Sequence, residues 1–345
     1  MVKVLYVGAL NEGSTCLMRM RALQRLGYDV IGVDTNDPSA SKTWKRLLDQ
    51  ITYKAGYPWD SNGVNRRILN LAQSHQPDLV WVDKGLVIKR STLICLKSLL
   101  PGTTLAYFNP DDPFGGYGLA GWRRFLHALD AYDVHFVPRE INIQDYQKRG
   151  AKKVVLQIPS WGYDPEIHRP RTVNDDFRKR FGADIGFVGF FEKERADSII
   201  ALAAAGLQVG VIGRWPSNYI HQGMLYSSHP VFGVSYAECL QCFKITLCFL
   251  RKNNRDLYTS RSIEIPACGA FMLAERTSVH QTLFEEGKEA EFFSSIEELL
   301  DKARFYLRDD VARERVARAG RLRCERSNYS YDGLMHRRMA VLGFA

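Results

Sequence analysis

Short apolar runs alternate with amphipathic stretches through the first half of the chain. The runs at 3–7, 29–34, 79–83, 104–108, 134–138 and 154–157 have the length and β-branched content of buried strands. Apolar residues recur three and four apart over 16–26, 64–75, 91–99 and 141–149, which predicts helices. Strand then helix, repeated, predicts a parallel sheet with helices on both faces. A polar, charge-dense stretch at 166–180, with Pro165 just before it, Pro170 within it and no apolar period, breaks this rhythm and reads as a linker. The alternation then restarts, with strands at 184–188, 208–212, 244–249, 270–274 and 290–293, a strand or loop at 231–233, and helices at 194–205, 235–241 and around Glu264. The tail at 296–326 is helical in pattern, and 329–342 forms a last segment interrupted by Gly333. The predicted fold class is α/β, two Rossmann-like domains in tandem. Their expected bounds are 1–168 and 184–326, joined by a linker at 169–183, with 327–345 crossing back to the first domain.

A length of 345 residues agrees with two cores rather than one. The formal charge of +9 favours anionic partners. Its cations are interspersed with acids, as in Arg313-Glu314-Arg315, which describes solvated helix faces and not a nucleic-acid stripe. No apolar run approaches the roughly 20 residues of a membrane span. The apolar start leads into a Gly loop without a cleavage pattern, so a cytoplasmic location is expected, with peripheral contact at the inner face of the membrane compatible with the charge. Seven cysteines lie scattered without paired metal spacing, and Cys239-x-x-Cys242 has no companion pair, so all are read as buried thiols.

Loops that follow strands are where open α/β sheets bind ligands. In the first domain these hold Gly13-Ser14-Thr15, Lys84 after Asp83, and Asp111-Asp112 between Pro110 and Pro113. The first loop lacks the spacing of a dinucleotide or ATP loop. Asp111 and Asp112 either cap a turn or act on a hydroxyl, orienting it or taking its proton, and one pair is too few ligands for a metal site. In the second domain Gly189 ends a strand, and Lys193 and Arg195 stand near a helix start, fitted either to a diphosphate or to ion pairs within the local Glu-Lys-Glu-Arg cluster. Gly213, Arg214 and Trp215 end the next strand and offer a guanidinium and an indole to a flat base. The most informative segment runs from Thr259, Ser260 and Arg261 through Glu264 to Gly269: a short helix carrying a carboxylate that could accept from two ribose hydroxyls, a Gly-terminated turn, then a buried strand.

Four ordered segments of the second half carry a family resemblance: Phe187-Val188-Gly189, Ile212-Gly213-Arg214-Trp215, Arg261 to Gly269, and Phe284 to Ala290. In this order they resemble the GT-B glycosyltransferases, specifically the CgeB-like, spore-maturation-type branch with a group 1-like C-terminal domain. The resemblance implies two Rossmann-like domains facing each other across a cleft and closing about the linker. A nucleotide-diphosphate sugar, a UDP-sugar first, would be the donor on the second domain. A glycan or other hydroxyl acceptor would bind the first, with no cofactor or metal required. Glu264 matches the second glutamate of the E-x7-E pattern of retaining enzymes, associated with the ribose hydroxyls. The first falls at Asp256, one methylene shorter. Retention is therefore expected; inversion would need a base, with Asp112 or Asp111 the first suspects. A non-catalytic nucleotide-sugar or glycan-binding subunit of a surface-polysaccharide assembly, and a nucleotide-sugar epimerase on the same fold, are the alternative readings.

Overall fold

The computed structural model describes residues 1–36, 43–116, 118 and 120–345, with the side chains of 43–46 left out. It divides into two compact units. Unit 1 comprises Met1–Trp161, the short piece Lys252–Arg255 and Tyr331–Ala345; unit 2 comprises Gly162–Arg251 and Asp256–Ser330.

The sheet of unit 1 has the strands β1 (Lys3–Gly8), β2 (Asp29–Asp34), β3 (Leu79–Asp83), β4 (Thr104–Phe108), β5 (Val134–Val137) and β6 (Val154–Leu156). They lie in the order β2-β1-β3-β4-β5-β6, and every neighbouring pair is parallel. β3 is buried at all its positions, and its apolar side chains join those of β1 and β4 in a core with Ile68, Leu93 and Phe125 from the covering helices. Continuous apolar runs are what a sheet covered on both faces requires.

Unit 2 repeats the architecture with β7 (Ala183–Val188), β8 (Val209–Ile212), β9 (Leu225–Ser227), β10 (Phe243–Cys248), β11 (Met272–Glu275) and β12 (Glu291–Phe293). Their order, β12-β11-β10-β7-β8-β9, is the doubly wound order of dinucleotide-binding sheets, again with parallel neighbours throughout. Ile185, Phe187, Val211 and Leu247 form its core with Ile199 and Leu299 of the helices.

Three local differences from the sequence reading have simple causes. Residues 231–232 form a loop, one of the two forms read there, and the strand β9 lies six residues earlier; it is an edge strand of three residues with an exposed leucine, so it carries little apolar pattern. A helix, Asp175–Phe181, lies inside the polar stretch. It is capped by Asn174, which accepts from Phe177 N at 2.8 Å, and only Phe181 is buried, so it has no apolar period. The helices Thr43–Lys54 and Arg123–Ala128 have no counterpart among the predicted elements. The last helix, Tyr331–Leu342, docks on the helix Thr15–Arg25 of unit 1, where Arg25 pairs with Asp332. Among the described residues no helix is long and apolar enough to cross a membrane.

Candidate functional site

In unit 2 the chain leaves β7 toward β8 and β9 on one side and returns to β10 on the other. Loops that part in this way leave a crevice at the carboxyl ends of the two central strands. Gly189 follows β7 and Gly213 follows β8. A Cβ on Gly213 would lie 2.2 Å from Gly189 O, and its φ is +147°, so the loops touch backbone to backbone and only glycine fits. Trp215 secures this contact: its indole Nε1 donates to Gly189 O at 3.0 Å, with Phe187 and Phe191 packed edge-on to the ring. The expectation that Trp215 packs near a flat base is corrected here, because the indole is buried and its N–H is already used.

Two guanidinium groups converge on the same place. Arg195 is buried and donates to Phe190 O at 2.7 Å and Leu250 O at 3.1 Å, tying the loop after β7 to the loop after β10. Burial, with the repulsion of Arg261 next, draws it down to about 10, which leaves it charged at neutral pH. Arg261 lies over the opposite part of the cluster, 5.7 Å from the centre of the Phe187 ring that Arg195 also faces at 5.2 Å. Its Nη2 reaches within 3.1 Å of where a Cβ on Gly189 would stand. The Nε atoms of Arg195 and Arg261 are buried without hydrogen-bond partners; Arg195 pairs through Nη2 with Glu192 at 3.6 Å, the ion pair within the Glu-Lys-Glu-Arg cluster, whereas among the described residues Arg261 forms none. Two guanidinium groups beside one ring, with a single carboxylate, Glu192, paired to Arg195, leave Arg261 in excess, an arrangement suited to an anion. Lys193 does not join it: the side chain is exposed and pairs with Asp197 at 2.7 Å, just outside the Glu-Lys-Glu-Arg cluster. Arg214 is exposed on the loop after β8.

The segment that carries Glu264 is held from behind. Ser262 Oγ accepts from Thr259 N at 3.0 Å and lies 2.7 Å from His280 Nε2, whose Nδ1 is 2.7 Å from Glu275 O. A carbonyl can only accept, so Nδ1 carries the proton and Nε2 accepts from the serine hydroxyl. Burial draws His280 down to about 4 and keeps it in this neutral form. The amides of Ser262, Ile263 and Glu264 already bond to Thr259 O and Ser260 O, so of the expected open amides those of Ser260 and Arg261 are outside this turn. The helix Arg261–Ala267 ends at Cys268, and Gly269 at φ +72° makes the left-handed turn into β11, as its sequence position suggests.

Glu264 is buried, with Oε2 accepting from Ser260 Oγ at 3.2 Å. His168 Nε2 stands 4.0 Å from Glu264 Oε1. Since His168 Nδ1 accepts from Asp164 N at 2.9 Å, the proton sits on Nε2 and points toward the carboxylate. Burial lowers His168 to about 3, so the contact is between a neutral imidazole and a carboxylate rather than an ion pair. Tyr236, on the helix Gly233–Leu240, packs its ring edge-on to His168 at 6.0 Å, and its buried hydroxyl has no partner. His168 and Tyr236 were not singled out in the sequence. His168 lies in the polar stretch taken as linker, and Tyr236 in an ordinary helix. Asp256 is buried at the end of the loop after β10, its amide donating to Arg251 O at 3.3 Å.

The strand ends of unit 1 are furnished differently. Gly13, Ser14 and Thr15 follow β1, but Ser14 Oγ caps the next helix by accepting from Leu17 N at 3.1 Å and donates to Ala9 O at 2.6 Å. Thr15 Oγ1 accepts from Arg19 Nη2 at 3.1 Å. Asp83 is buried against Arg19 and the Tyr6 hydroxyl, each at 2.6 Å. Lys84 pairs with Asp111. Asp112 is fully enclosed: Arg255 pairs with it, Asn142 Nδ2 and Phe114 N donate to Oδ1 at 2.9 and 3.0 Å, and its own amide donates to Asn254 Oδ1 at 2.7 Å. So placed, Asp112 is a structural anchor, and the expectation that it serves as a base is corrected. Among the described residues no group of three or more His, Cys, Asp or Glu is placed to hold a metal ion.

Comparison with known proteins bears on the fold. Anabaena HepE, solved with UDP and glucose, superposes with a TM-score of 0.66 over 100% of both chains at 12% identity. The fold is that of the GT-B glycosyltransferases. Sucrose-phosphate synthase of Thermosynechococcus elongatus superposes with a TM-score of 0.67 at 11% identity, covering 100% of this chain and 99% of the other. A Listeria monocytogenes protein assigned as a UDP-N-acetylglucosamine 2-epimerase gives 0.57 at 10% identity, covering 99% and 95%. A family model described as glycosyl transferase-like matches residues 195–340, from Arg195 through the Glu264 helix to the last helix. No curated protein matches the sequence.

Proposed function

We propose that this GT-B chain is a glycosyltransferase that holds a nucleoside-diphosphate sugar on unit 2 and transfers the sugar to a hydroxyl acceptor, a glycan first, on unit 1. The observation that carries the reading is Arg261 at the switch point, without an ion pair among the described residues and over the same Phe187 ring as the Glu192-paired Arg195, beside the close Gly189–Gly213 backbone contact. Cleavage of the sugar–phosphate bond leaves a second negative charge on the departing diphosphate. Arg261 would meet it directly, together with the amides of Ser260 and Arg261, and Arg195 would add its field from behind. These groups supply charge stabilisation without calling on a metal. Glu264 would accept from the ribose hydroxyls, with His168 Nε2–H and the Tyr236 hydroxyl bordering the same space.

UDP is the first nucleotide to test, because HepE was solved with UDP and with UDP-glucose. With Asp112 enclosed and Asp111 paired to Lys84, the reading favours retention, in which no strong protein base takes the acceptor proton. Gly13 and Lys84 remain the acceptor-side residues of unit 1, and Asp256 the residue offered to the donor sugar. Calorimetry with UDP, GDP and dTDP tests the proposal. UDP binding that weakens about 10-fold or more in Glu264→Ala is expected, and no binding of any of the three would overturn it. Similarity to the epimerase supports a second reading, distinguished by conversion of the donor with no acceptor present. The charge of +9 supports peripheral contact with an anionic membrane at the cytoplasmic face.

A further inference from the structure

Unit 1 exposes one concentrated apolar surface. Of the 21 large hydrophobic side chains exposed among the described residues, six fall within positions 47–59: Leu47, Leu48, Ile51, Tyr53, Tyr57 and Trp59. Leu47, Leu48 and Ile51 occupy one face of the helix Thr43–Lys54, at i, i+1 and i+4, and Leu47 and Ile51 are 59% and 55% exposed. A helix that packed its apolar face into the core would show the reverse. Tyr57 and Trp59 continue the surface beyond the helix end with two aromatic rings.

Cations stand at the C-terminal end of this face, while Asp49, the acid on the helix itself, is half-buried. Lys54 closes the helix and is exposed. Arg123 and Arg124 are brought alongside by two backbone bonds, Gly121 N to Tyr53 O at 2.7 Å and Arg124 N to Gly56 O at 2.9 Å. Arg124 then stacks over the Tyr57 ring at 5.8 Å. Asp60, the nearby acid after the aromatics, is spent on capping the following helix through Val64 N and Asn65 N at 2.7 and 3.0 Å. An outward apolar stripe, amphipathic aromatic rings beside it and a basic margin match a bilayer interface with anionic headgroups point for point.

We infer that the helix Thr43–Lys54 and the aromatic residues after it form a membrane-docking surface that seats in the headgroup region of an anionic bilayer. This rests on the peripheral-membrane reading above and locates it, with Leu47, Leu48 and Ile51 entering the acyl boundary and Lys54, Arg123 and Arg124 meeting lipid phosphates. Such seating would present unit 1 to an acceptor held at a membrane.

Sedimentation of the full chain with vesicles of phosphatidylcholine alone, or with 30% phosphatidylglycerol (roughly the anionic content of a charged leaflet), tests the inference. Binding to the anionic vesicles is expected. Double substitution Leu47→Glu with Ile51→Glu should weaken it by about 10-fold or more, and Lys54→Glu by roughly five-fold. Both variants should keep the wild-type melting temperature and UDP affinity, since the altered side chains are exposed. Wild-type binding that the double variant leaves unchanged would overturn the docking surface while the broader membrane reading stands. No binding to either vesicle would overturn both, and UDP affinity would report separately on the transferase reading. A wild-type dimer in light scattering that the double variant converts to monomer would assign the face to a second copy of the chain and overturn the inference.

Discussion

The two units share a parallel six-stranded design, yet they differ in one charge at their strand ends. In unit 1 each acid after a central strand is met inside the unit: Asp83 by Arg19, Asp111 by Lys84, Asp112 by Arg255. In unit 2 Arg195 is met by Glu192 at 3.6 Å, but Arg261, which shares one aromatic ring with it, has no carboxylate partner among the described residues. Neutralised charge stabilises a fold; charge left in excess at a switch point is available to a ligand. The difference explains why equally suggestive motifs in the two halves deserve different weights. It also follows from topology, because the order β9-β8-β7-β10 parts the loops that carry the cations, while the short piece Lys252–Arg255 fills the place beside Asp112 in unit 1.

The largest effect that would break this contrast is at Arg261. Arg261→Ala should lower kcat by about 10²–10³, or about 2.7–4 kcal/mol of transition-state stabilisation, measured as nucleoside-diphosphate release in steady state; an unchanged kcat would return Arg261 to a packing role. Next comes Asp112→Ala, which leaves Arg255 facing a vacated pocket. Breaking a buried pair costs about 3–5 kcal/mol, and the partial exposure of Arg255 places the loss near about 3 kcal/mol in urea unfolding. If instead the variant is stable and inactive, Asp112 is chemical after all.

Acid should separate the units by a smaller margin. His168 and His280 in unit 2 are lowered to about 3 and about 4, and His135 in unit 1 to about 4, each chiefly by burial. A histidine depressed in the fold takes up its proton first in the unfolded chain. Stability is therefore full above the ordinary value near 6.5 and falls as the pH drops from there toward 3–4. Between pH 7 and 5 each such histidine costs about 2 kcal/mol. Amide exchange should show unit 2 losing about twice as much protection as unit 1, and equal losses would contradict the neutral assignments. Smallest of all is Lys193→Ala: with its charge spent on Asp197 at the surface, activity should change less than two-fold, and a larger loss would restore it to the anion site.

Much of the fold was legible because burial writes itself into composition. β3 is apolar at four of its five positions and β10 at four of its six, and Gly269 sits where a short helix must turn left-handed before a buried strand. β9 and the helix Asp175–Phe181 left faint traces because each buries little. The candidate site was legible through residues fixed by backbone geometry, Gly189 and Gly213, and through Arg261 and Glu264 on their helix. It was not legible for His168 and Tyr236, whose neighbours lie far off in the chain, nor for Trp215, whose buried indole serves the loop instead of a base.

By itself the sequence determined the α/β class, the restart of the β-α rhythm after the polar stretch, and the positions where only glycine could turn the chain, since these depend on near neighbours and on burial averaged over a segment. The tertiary structure decided which charges are spent and which stand in excess. Asp111 and Asp112 look alike in a row of letters. Asp112 is an anchor because Arg255, 143 positions away, arrives to pair with it, and Arg261 stands in excess because no carboxylate among the described residues does the same for it. Electrostatic neutralisation acts between groups a few ångströms apart, and that distance is set by the fold rather than by the order of the chain.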